Sequence, residues 1–410
     1  MVLIFLVGGI VLLSILATYF MDNHYADLYI YNIYGNTLQH GLLPYVDVRF
    51  EYPPLALVPI FFSQLLSSII GNFYASYIFL SSVVFAVLIN DRFRRGGWPA
   101  AKRLVWLCLP LLTLFLFELE LYVVLVLYFC LVIVLNKDRL TTRRVGLAAV
   151  LFAVAALTKG YPLVCLPALA LVLPTWRYRI QFVSIIGALG AAIVGALVVL
   201  APRGAQFAYL YHMKRPLDIG STAATVGLVL RYFGVHSIVY TSNQSWAVWY
   251  PGAVAVNTLS SVLLVGSLIF FTIWYFRRGR YTDPAVATLA AMAYFLLYII
   301  CVKIGSPQFI LPVLFIGAVA YDYVPRKDAR PLQYKLAFAS IAVSASYMIG
   351  DKAAENGGWL AAPVFVLKLV VVVMLLRWVL AKITELSRAK PQPATSGQKP
   401  RRRPKRLLPA

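Results

Sequence analysis

The chain has 410 residues, of which 61% are hydrophobic and only 13% are charged, and its mean hydropathy is +0.80. Soluble globular proteins are about 45–50% apolar and about 25% charged, so this composition excludes a soluble protein and predicts an integral membrane protein. The formal net charge of +22 could suggest a nucleic-acid partner. However, most Lys and Arg residues lie either in short stretches between apolar runs or in the segment from Arg377 onward, which is typical of cytoplasmic loops and tails, and we expect no nucleic-acid binding.

The apolar runs are long enough to be membrane helices. The first run, residues 2–20, lacks the basic leader and the A-x-A cleavage site of a signal peptide and is predicted to be the first transmembrane helix. With the basic stretches in the cytoplasm, the pattern predicts an all-α membrane protein of about 12 transmembrane helices and two cytoplasmic termini. The predicted helices are 2–20, 73–90, 104–117, 119–136, 145–158, 162–175, 182–201, 248–275, 284–302, 306–323, 335–350 and 359–379.

Residues 1–389 are predicted to form one polytopic domain in the cell membrane. The Pro-rich, basic stretch 390–410 is predicted to be a disordered cytoplasmic tail near anionic lipid headgroups. All four cysteines lie inside apolar runs without metal-ligand spacing, so we expect buried thiols rather than a metal site.

The segment 21–72 is predicted to be a long external loop, and loops of this length tend to carry function. Asp27, Tyr31 and Tyr34 fall on one face of a helix that ends near Gly41. A carboxylate beside tyrosines suits sugar handling, although an aromatic belt at the membrane surface would give the same pattern. The apolar piece 53–66 is predicted to be a helix lying in the outer interface, with its two prolines at the start.

Polar residues also collect at four other outer junctions between predicted helices. They are Glu118 and Glu120, Lys159, the segment 211–221, and Lys303 with Gln308. A charge in a membrane segment costs free energy and usually marks a function or an ion pair, although a lysine near the surface can also reach the interface. Together these residues suit a phosphate held by cations, with a carboxylate beside a hydroxyl nucleophile.

Four motifs in order carry a resemblance to a known family. The stretch "ADLYIYNIYGNTLQHGLLPYVDVRFEYPPLALVP" resembles the first external loop of polytopic GT-C glycosyltransferases, and is closest to glycosyltransferase family 87 and the GPI mannosyltransferase I catalytic subunit. "TKGYPLVCLPAL" is similar to a K-x-x-P…LP stretch of these enzymes. "KRPLDIGS" is similar to R-P-x-x-x-x-S, and "KIGSPQFILPVL" to K-x-x-S-P-Q-aromatic. Each motif alone is weak, but together they span most of the chain.

The resemblance implies an inverting hexosyltransferase on the external face of the membrane. Its donor would be a polyprenyl-phosphate-linked sugar, often mannose, and its acceptor a glycolipid or glycan. The first-loop Asp, by position Asp27, would be the general base. Residue 29 is Tyr rather than the second Asp of a D-x-D pair, so we expect no cofactor; a divalent metal is possible but not required.

The remaining candidate site residues follow from the same motifs. Glu120 is a further candidate to orient the acceptor, and Glu51 a candidate to contact acceptor or sugar, although a structural turn fits Glu51 as well. Asp47 and Arg49 are expected outside the bilayer at the cavity rim. The candidate substrate-binding residues are Tyr31, Tyr34, Lys159, Lys214, Arg215, Lys303 and Gln308.

Two other classes of protein fit parts of the sequence. A secondary transporter or flippase of a lipid-linked sugar would also have about twelve helices and buried charges. No inverted repeat of the two halves is visible, and a transporter has no need of the long external loop. A scaffold or lipid-binding protein explains the clustered carboxylates and lysines less well.

Overall fold

The computed structural model describes residues 26–242, 245–356 and 359–388, together with Gly8. The predicted first helix, apart from Gly8, and the basic tail lie outside the described residues. The described chain is mostly helical. Its helices are α1 (Ala26–Gln39), α2 (Leu57–Ile70), α3 (Phe73–Cys108), α4 (Leu112–Phe117), α5 (Glu120–Leu135), α6 (Thr142–Thr158), α7 (Leu166–Leu171), α8 (Trp176–Leu200), α9 (Pro202–Lys214), α10 (Thr222–Leu230), α11 (Ala253–Arg277), α12 (Pro284–Cys301), α13 (Ile310–Ala320), α14 (Arg326–Ala345), α15 (Lys352–Glu355) and α16 (Ala361–Arg388).

Five helices in the described part are long and apolar enough to cross a membrane, namely α3, α8, α11, α12 and α16. Several other apolar helices are shorter than a full span, including α2, α5 and α13. The structure therefore supports a helical membrane protein, and the predicted count of about 12 transmembrane helices stays a prediction.

The core of the bundle is formed by α12 and α13, which are buried on almost every face. In contrast, nearly all of α8 and α11 is exposed, although their sequences are at least as apolar as that of α12. Apolar side chains exposed along a whole span are compatible with lipid and not with water. These two helices thus lie at the periphery of the bundle.

The described part of the segment 21–72 folds as its spacing predicts. Helix α1 carries the face with Asp27, Tyr31 and Tyr34 inward and ends before Gly41, whose φ of 75° suits a glycine. A 3₁₀ turn at Pro54–Ala56 leads into α2, and Pro54 occupies a first-turn position where a missing N–H costs nothing. The prediction of two helices in 21–72 is confirmed for the described residues.

Two predicted loops have more structure than their sequences indicated. The basic stretch 91–103 is helical throughout except at Gly97, whose φ of 67° breaks α3 into two helical pieces. The segment 202–247 contains α9, α10 and the strand β1 (Ile238–Ser242), which pairs antiparallel with β2 (Ser245–Trp249). Helix α11 consequently begins at Ala253 rather than at 248, and the fold is all-α apart from this hairpin.

Candidate functional site

Aromatic side chains of α1 pack against rings from neighbouring segments, next to Asp27. Tyr31, one turn after Asp27, is fully buried; its ring stacks on Tyr77 of α3 at 5.4 Å and meets the edge of Tyr52 at 5.7 Å. Asp27 lies in the first turn of α1 and is only partly buried. A carboxylate in the first turn is favoured by the helix dipole, which presents partial positive charge there. Asp27 is thus a part-exposed anion on an aromatic wall.

Two further acids reach Asp27 from the junction of α4 and α5. Glu118 ends α4 in an extended conformation and is buried, and the charge of Asp27 acts on its carboxyl group. The Tyr31 hydroxyl donates to Glu118 Oε2 at 3.4 Å. Glu120, the first residue of α5, is completely buried. The non-helical residue at Glu118 is what allows both acids of this junction to face inward.

Lys159 neutralises the more deeply buried acid. It follows α6 in an extended conformation, and its Nζ donates to Glu120 Oε1 at 2.7 Å. The same ammonium lies 5.5 Å from the Tyr52 ring centroid. Burial lowers the pKa of Lys159, but Glu120, Glu118 and Asp27 together raise it above its ordinary value. Lys159 is therefore a largely buried cation that is paired with an acid. We call Asp27, Glu118, Glu120 and Lys159 together the acidic cluster.

Burial also changes the ionisation of Glu118. Removal from water raises its pKa well above the ordinary value, and Asp27 and Glu120 raise it further against the opposing effect of Lys159. A carboxyl group that holds its proton can donate a hydrogen bond, which an ionised carboxylate cannot. The sequence predicts Glu118 at this junction but indicates no role for it.

Glu51 lies in a second polar group beside α1. It is buried and accepts a hydrogen bond from the Tyr34 hydroxyl, while its backbone carbonyl contacts His212 Nε2 of α9 at 2.8 Å. Burial raises the pKa of Glu51, and the hydrogen bond from Tyr34 opposes that rise. The Tyr45 hydroxyl donates to the carbonyl of Tyr52, which closes the turn between α1 and α2. Tyr34 and Glu51 thus hold the segment between α1 and α2 against α9.

Asp47 and Arg49 lie on the exposed side of this segment, and their position outside the bilayer stays a prediction. Asp47 accepts a hydrogen bond from the backbone N–H of Leu43 at 2.8 Å, and the Arg49 guanidinium lies over the Phe207 ring at 5.3 Å. Both charges therefore stabilise the turn and its contact with α9.

Two cations of the site, Arg215 and Lys303, come from segments other than those of the acidic cluster. Arg215 follows α9 and pairs with Asp218 at 3.6 Å. Burial lowers the pKa of Arg215, but Asp218, then Tyr211 and Asp27, raise it. Burial and the positive charge of Arg215 lower the pKa of Lys303, whose Nζ donates to the Met213 carbonyl at 2.7 Å. Because the charge of Asp27 acts on Arg215 and the charge of Arg215 acts on Lys303, the structure brings these predicted residues into one region.

The two cation-bearing motifs are joined backbone to backbone. A Cβ added at Gly305 would lie 1.9 Å from the carbonyl carbon of Gly220, and one added at Gly220 would lie 2.4 Å from the Gly305 oxygen. The Asp218 N–H also donates to the Lys303 carbonyl at 3.1 Å. Only glycine permits this approach at both positions. We call the segments 215–221 and 303–309 together the cationic loops.

Lys368 anchors the cationic loops to α16. It is a buried lysine within an apolar helix, and its Nζ donates to the carbonyl of Gly220. Ser221 then caps α10 by accepting from the Ala224 N–H at 3.0 Å. The Ser of the R-P-x-x-x-x-S motif is therefore a helix cap. Lys368 is a single lysine in the apolar run of α16. Nothing in the sequence indicated that it contacts a loop about 150 residues earlier.

The other predicted site residues lie around these groups. Lys214 is exposed at the end of α9, and Gln308 is buried in the 3₁₀ turn Pro307–Phe309. In the described part of the chain, no group of three or more His, Cys, Asp or Glu side chains has an arrangement that could hold a metal ion.

Comparisons with known proteins add a single structural likeness to this description. No protein-family model matches the chain, and no curated protein matches it. The chain is similar to the crystal structure of ArnT from Cupriavidus metallidurans in the apo state, with a TM-score of 0.45 and 14% sequence identity. The match covers 89% of this chain and 72% of that chain. A likeness at this level carries no argument about the function of the chain.

Proposed function

We propose that the chain is an inverting GT-C glycosyltransferase that moves a sugar, mannose by the motif resemblance, from a polyprenyl-phosphate donor to a hydroxyl of a lipid-linked or glycan acceptor. The observation that carries the proposal is the position of Asp27, the part-exposed carboxylate of the acidic cluster, whose charge acts on the cation Arg215. A part-exposed carboxylate can serve as a general base, and the cations Arg215 and Lys303 can hold a phosphate.

In the proposed reaction the acceptor hydroxyl attacks the anomeric carbon of the donor sugar. The bond from that carbon to the acceptor oxygen forms as its bond to the phosphate oxygen breaks, and Asp27 takes the hydroxyl proton. The electron pair of the broken bond leaves with the polyprenyl phosphate. Arg215 and Lys303 stabilise the negative charge on this leaving group, since charge-assisted hydrogen bonds to phosphate strengthen as the charge develops.

The buried residues are assigned supporting roles. Glu120 holds Lys159 by the 2.7 Å ion pair, and its complete burial favours this role over direct contact with an acceptor. Tyr31 and Tyr34 orient Glu118 and Glu51 through their hydroxyl groups. The proposed reaction takes place on the external face of the cell membrane, with lipid around α8 and α11.

The test is transfer from a labelled polyprenyl-phosphate sugar by purified protein in lipid nanodiscs. General base catalysis contributes about 10²–10⁴-fold, so Asp27→Asn is expected to reduce kcat by that factor while donor binding remains. Asp47→Asn is the matched control, because Asp47 is an exposed acid of the same external segment and its amide replacement can still accept from Leu43.

Full kcat in folded Asp27→Asn protein would remove Asp27 as the base. Absence of transfer by the unmodified protein with every polyprenyl-phosphate sugar tested, together with movement of the lipid-linked sugar between the leaflets of a vesicle, would favour the flippase alternative.

A further inference from the structure

His212 lies where the segment between α1 and α2 meets the cationic loops, and the proposed mechanism gives it no role. Its Nε2 contacts the backbone carbonyl of Glu51 at 2.8 Å. The carbonyl of the next residue, Met213, accepts a hydrogen bond from Lys303 Nζ at 2.7 Å. Arg215 follows three residues after His212, at the end of the same helix, and residues at this spacing lie on one helix face. His212 is therefore in the same region as both cations that are proposed to hold the donor phosphate.

The contact with Glu51 decides which nitrogen of the His212 ring carries a proton. A carbonyl oxygen only accepts hydrogen bonds, so Nε2 is the N–H donor of this contact. In a neutral imidazole the other nitrogen, Nδ1, is then an acceptor. Among the described residues Nδ1 has no hydrogen-bond partner, and His212 is exposed, so a ligand can reach the ring. Nδ1 is thus the ring nitrogen that is left for a ligand.

The surroundings of His212 favour a neutral ring. An ordinary histidine, with a pKa of about 6.5, is already mostly uncharged at neutral pH. Loss of hydration lowers the pKa of His212, and the hydrogen bond to the Glu51 carbonyl opposes this effect. Three positive charges lower it further, those of Arg215, Lys159 and Lys303. Because these cations also make an imidazolium costly, His212 is suited to accept a hydrogen bond and poorly suited to take a proton.

A sugar hydroxyl is the ligand group that fits Nδ1. A hydroxyl can donate a hydrogen bond to a neutral nitrogen, whereas an ionised phosphate oxygen cannot. In a polyprenyl-phosphate sugar, the sugar is bonded directly to the phosphate. Cations that hold the phosphate therefore bring the donor sugar next to His212.

We propose that His212 is a sugar-binding residue whose Nδ1 accepts a hydrogen bond from a hydroxyl group of the donor sugar. The Glu51 carbonyl holds the ring in the tautomer that this contact requires. The identity of the ligand rests on the proposed function, whereas the tautomer of His212 rests on the contact with Glu51.

Two substitutions of His212 separate the two ring nitrogens. Glutamine places its amide near the position of Nε2 and can still donate to Glu51, but it has no acceptor at Nδ1. Asparagine places its amide oxygen near the position of Nδ1 and loses the contact with Glu51. Loss of one neutral hydrogen bond raises Kd by about threefold to tenfold. We expect His212→Gln to weaken binding of a short-chain polyprenyl-phosphate mannose by this factor in isothermal titration, and His212→Asn to weaken it less.

Two controls accompany this titration. The same polyprenyl phosphate without a sugar is expected to bind His212→Gln as it binds the unmodified protein. His40→Gln changes an exposed histidine that follows α1, and its Kd for the sugar donor is expected to stay the same. A donor Kd that rises more in His212→Asn than in His212→Gln would show that only the Glu51 contact matters, and would overturn the proposal. An unchanged donor Kd with reduced transfer would assign the hydroxyl to the acceptor and overturn its assignment to the donor sugar.

A ¹⁵N NMR spectrum of histidine-labelled protein gives a readout that is independent of turnover. The signals of His212, assigned by their absence in His212→Gln, are expected to show a protonated Nε2 and an unprotonated Nδ1. The Nδ1 signal is expected to shift when polyprenyl-phosphate mannose is added, but not when polyprenyl phosphate is added. A protonated Nδ1 at neutral pH, or an Nδ1 signal that the sugar does not affect, would overturn the proposal. If the shift is found without glycosyl transfer, the proposed function fails while the sugar contact of His212 stands.

Discussion

Two ion networks with different charge balance lie along α3. Tyr77, near the N-terminus of α3, stacks on Tyr31, which hydrogen-bonds to Glu118 of the acidic cluster. Arg92 lies fifteen residues later, about 22 Å along the helix. There, Arg92 holds Asp322 by two hydrogen bonds of 2.7 and 3.2 Å, and Arg95 pairs with Asp91 at 2.5 Å. Each acid here has at least one guanidinium, since Arg103 also lies 3.9 Å from Asp322. In the acidic cluster three carboxyl groups share one lysine.

This difference separates a structural network from a candidate site. The Arg92 network is also supported by neutral contacts, since Tyr128 donates to Asp91 at 2.7 Å and Arg103 stacks over the Tyr321 ring at 3.9 Å. A matched set of charges needs no ligand to complete it. In the acidic cluster the acids outnumber Lys159, and the part-exposed Asp27 faces Arg215 and Lys303. This arrangement costs free energy, and such arrangements cluster at functional sites.

The largest loss in the free energy of unfolding is expected when Lys159, the cation of the acidic cluster, is replaced. Lys159→Met leaves Glu120 buried without a counter-charge, and loss of one partner of a buried ion pair typically costs about 3–5 kcal/mol. Thermal unfolding in detergent measures this change. The double variant Lys159→Met/Glu120→Gln removes both charges and is expected to recover most of the loss.

The same pair of variants separates two roles of Lys159. If Lys159 only balances Glu120, the double variant binds the polyprenyl-phosphate sugar as the unmodified protein does. If Lys159 also holds the donor phosphate, as the motif resemblance implies, binding stays weak after stability has returned.

A smaller effect is expected from the matched network. Arg92→Met removes the bidentate contact to Asp322, and because Asp322 remains about one third exposed, we expect a loss of about 2–3 kcal/mol at most. Turnover per folded molecule should not change. Arg94→Met, on the exposed side of the same helix, is the control and should leave both properties unchanged. A fall in kcat for folded Arg92→Met would contradict the distinction between the two networks.

Donor affinity is expected to depend on the cationic loops. Arg215→Met removes a guanidinium that interacts with Asp218 and Asp27, and loss of a hydrogen bond to a charged ligand costs about 1.5–3 kcal/mol, which is about tenfold to a hundredfold in Kd. Isothermal titration with a short-chain polyprenyl-phosphate sugar measures it. Lys214→Met is the neighbouring exposed control. An unchanged Kd for Arg215→Met would place the phosphate elsewhere.

The smallest effect is a pH dependence at Glu51. Its pKa is raised in the folded protein above the ordinary value of 4.5, so it contributes stability below that value and loses the contribution as pH rises through the folded pKa. Glu51→Gln still accepts from Tyr34 but cannot ionise. We therefore expect the variant to gain stability relative to the unmodified protein as the pH rises above the ordinary pKa of 4.5, by about 1 kcal/mol or less. A difference in the free energy of unfolding between the two proteins that is the same at every pH would contradict this prediction.

The sequence predicted the features that depend on local spacing. The inward face of α1, with Asp27, Tyr31 and Tyr34, follows from helical periodicity, and the helix after Pro53 follows from proline at a helix start. The stretch 91–103 was expected to be a loop because its charges are typical of one. A single glycine at position 97 is enough to turn the chain while the flanking residues stay helical.

Features that depend on distant contacts were not accessible in this way. Periodicity and composition do not show that Glu118 contacts Tyr31, or that Lys368 reaches Gly220. The first contact joins residues 87 positions apart and the second joins residues 148 positions apart. The same limit explains the hairpin of β1 and β2, whose alternating residues were assigned partly to a loop and partly to the next helix.

The interlocked glycines of the cationic loops have a consequence for how the site is assembled during synthesis. The acidic cluster is complete once residue 159 has been made, and its four members come from the first two fifths of the chain. The opposite wall needs Gly220 and Gly305 in contact and Lys368 from α16, so it forms only after nearly the whole described chain has entered the membrane. Contacts at such sequence separation are the slow ones in folding. A nascent chain stalled after α8 therefore already holds its acids but not yet the cations that face them.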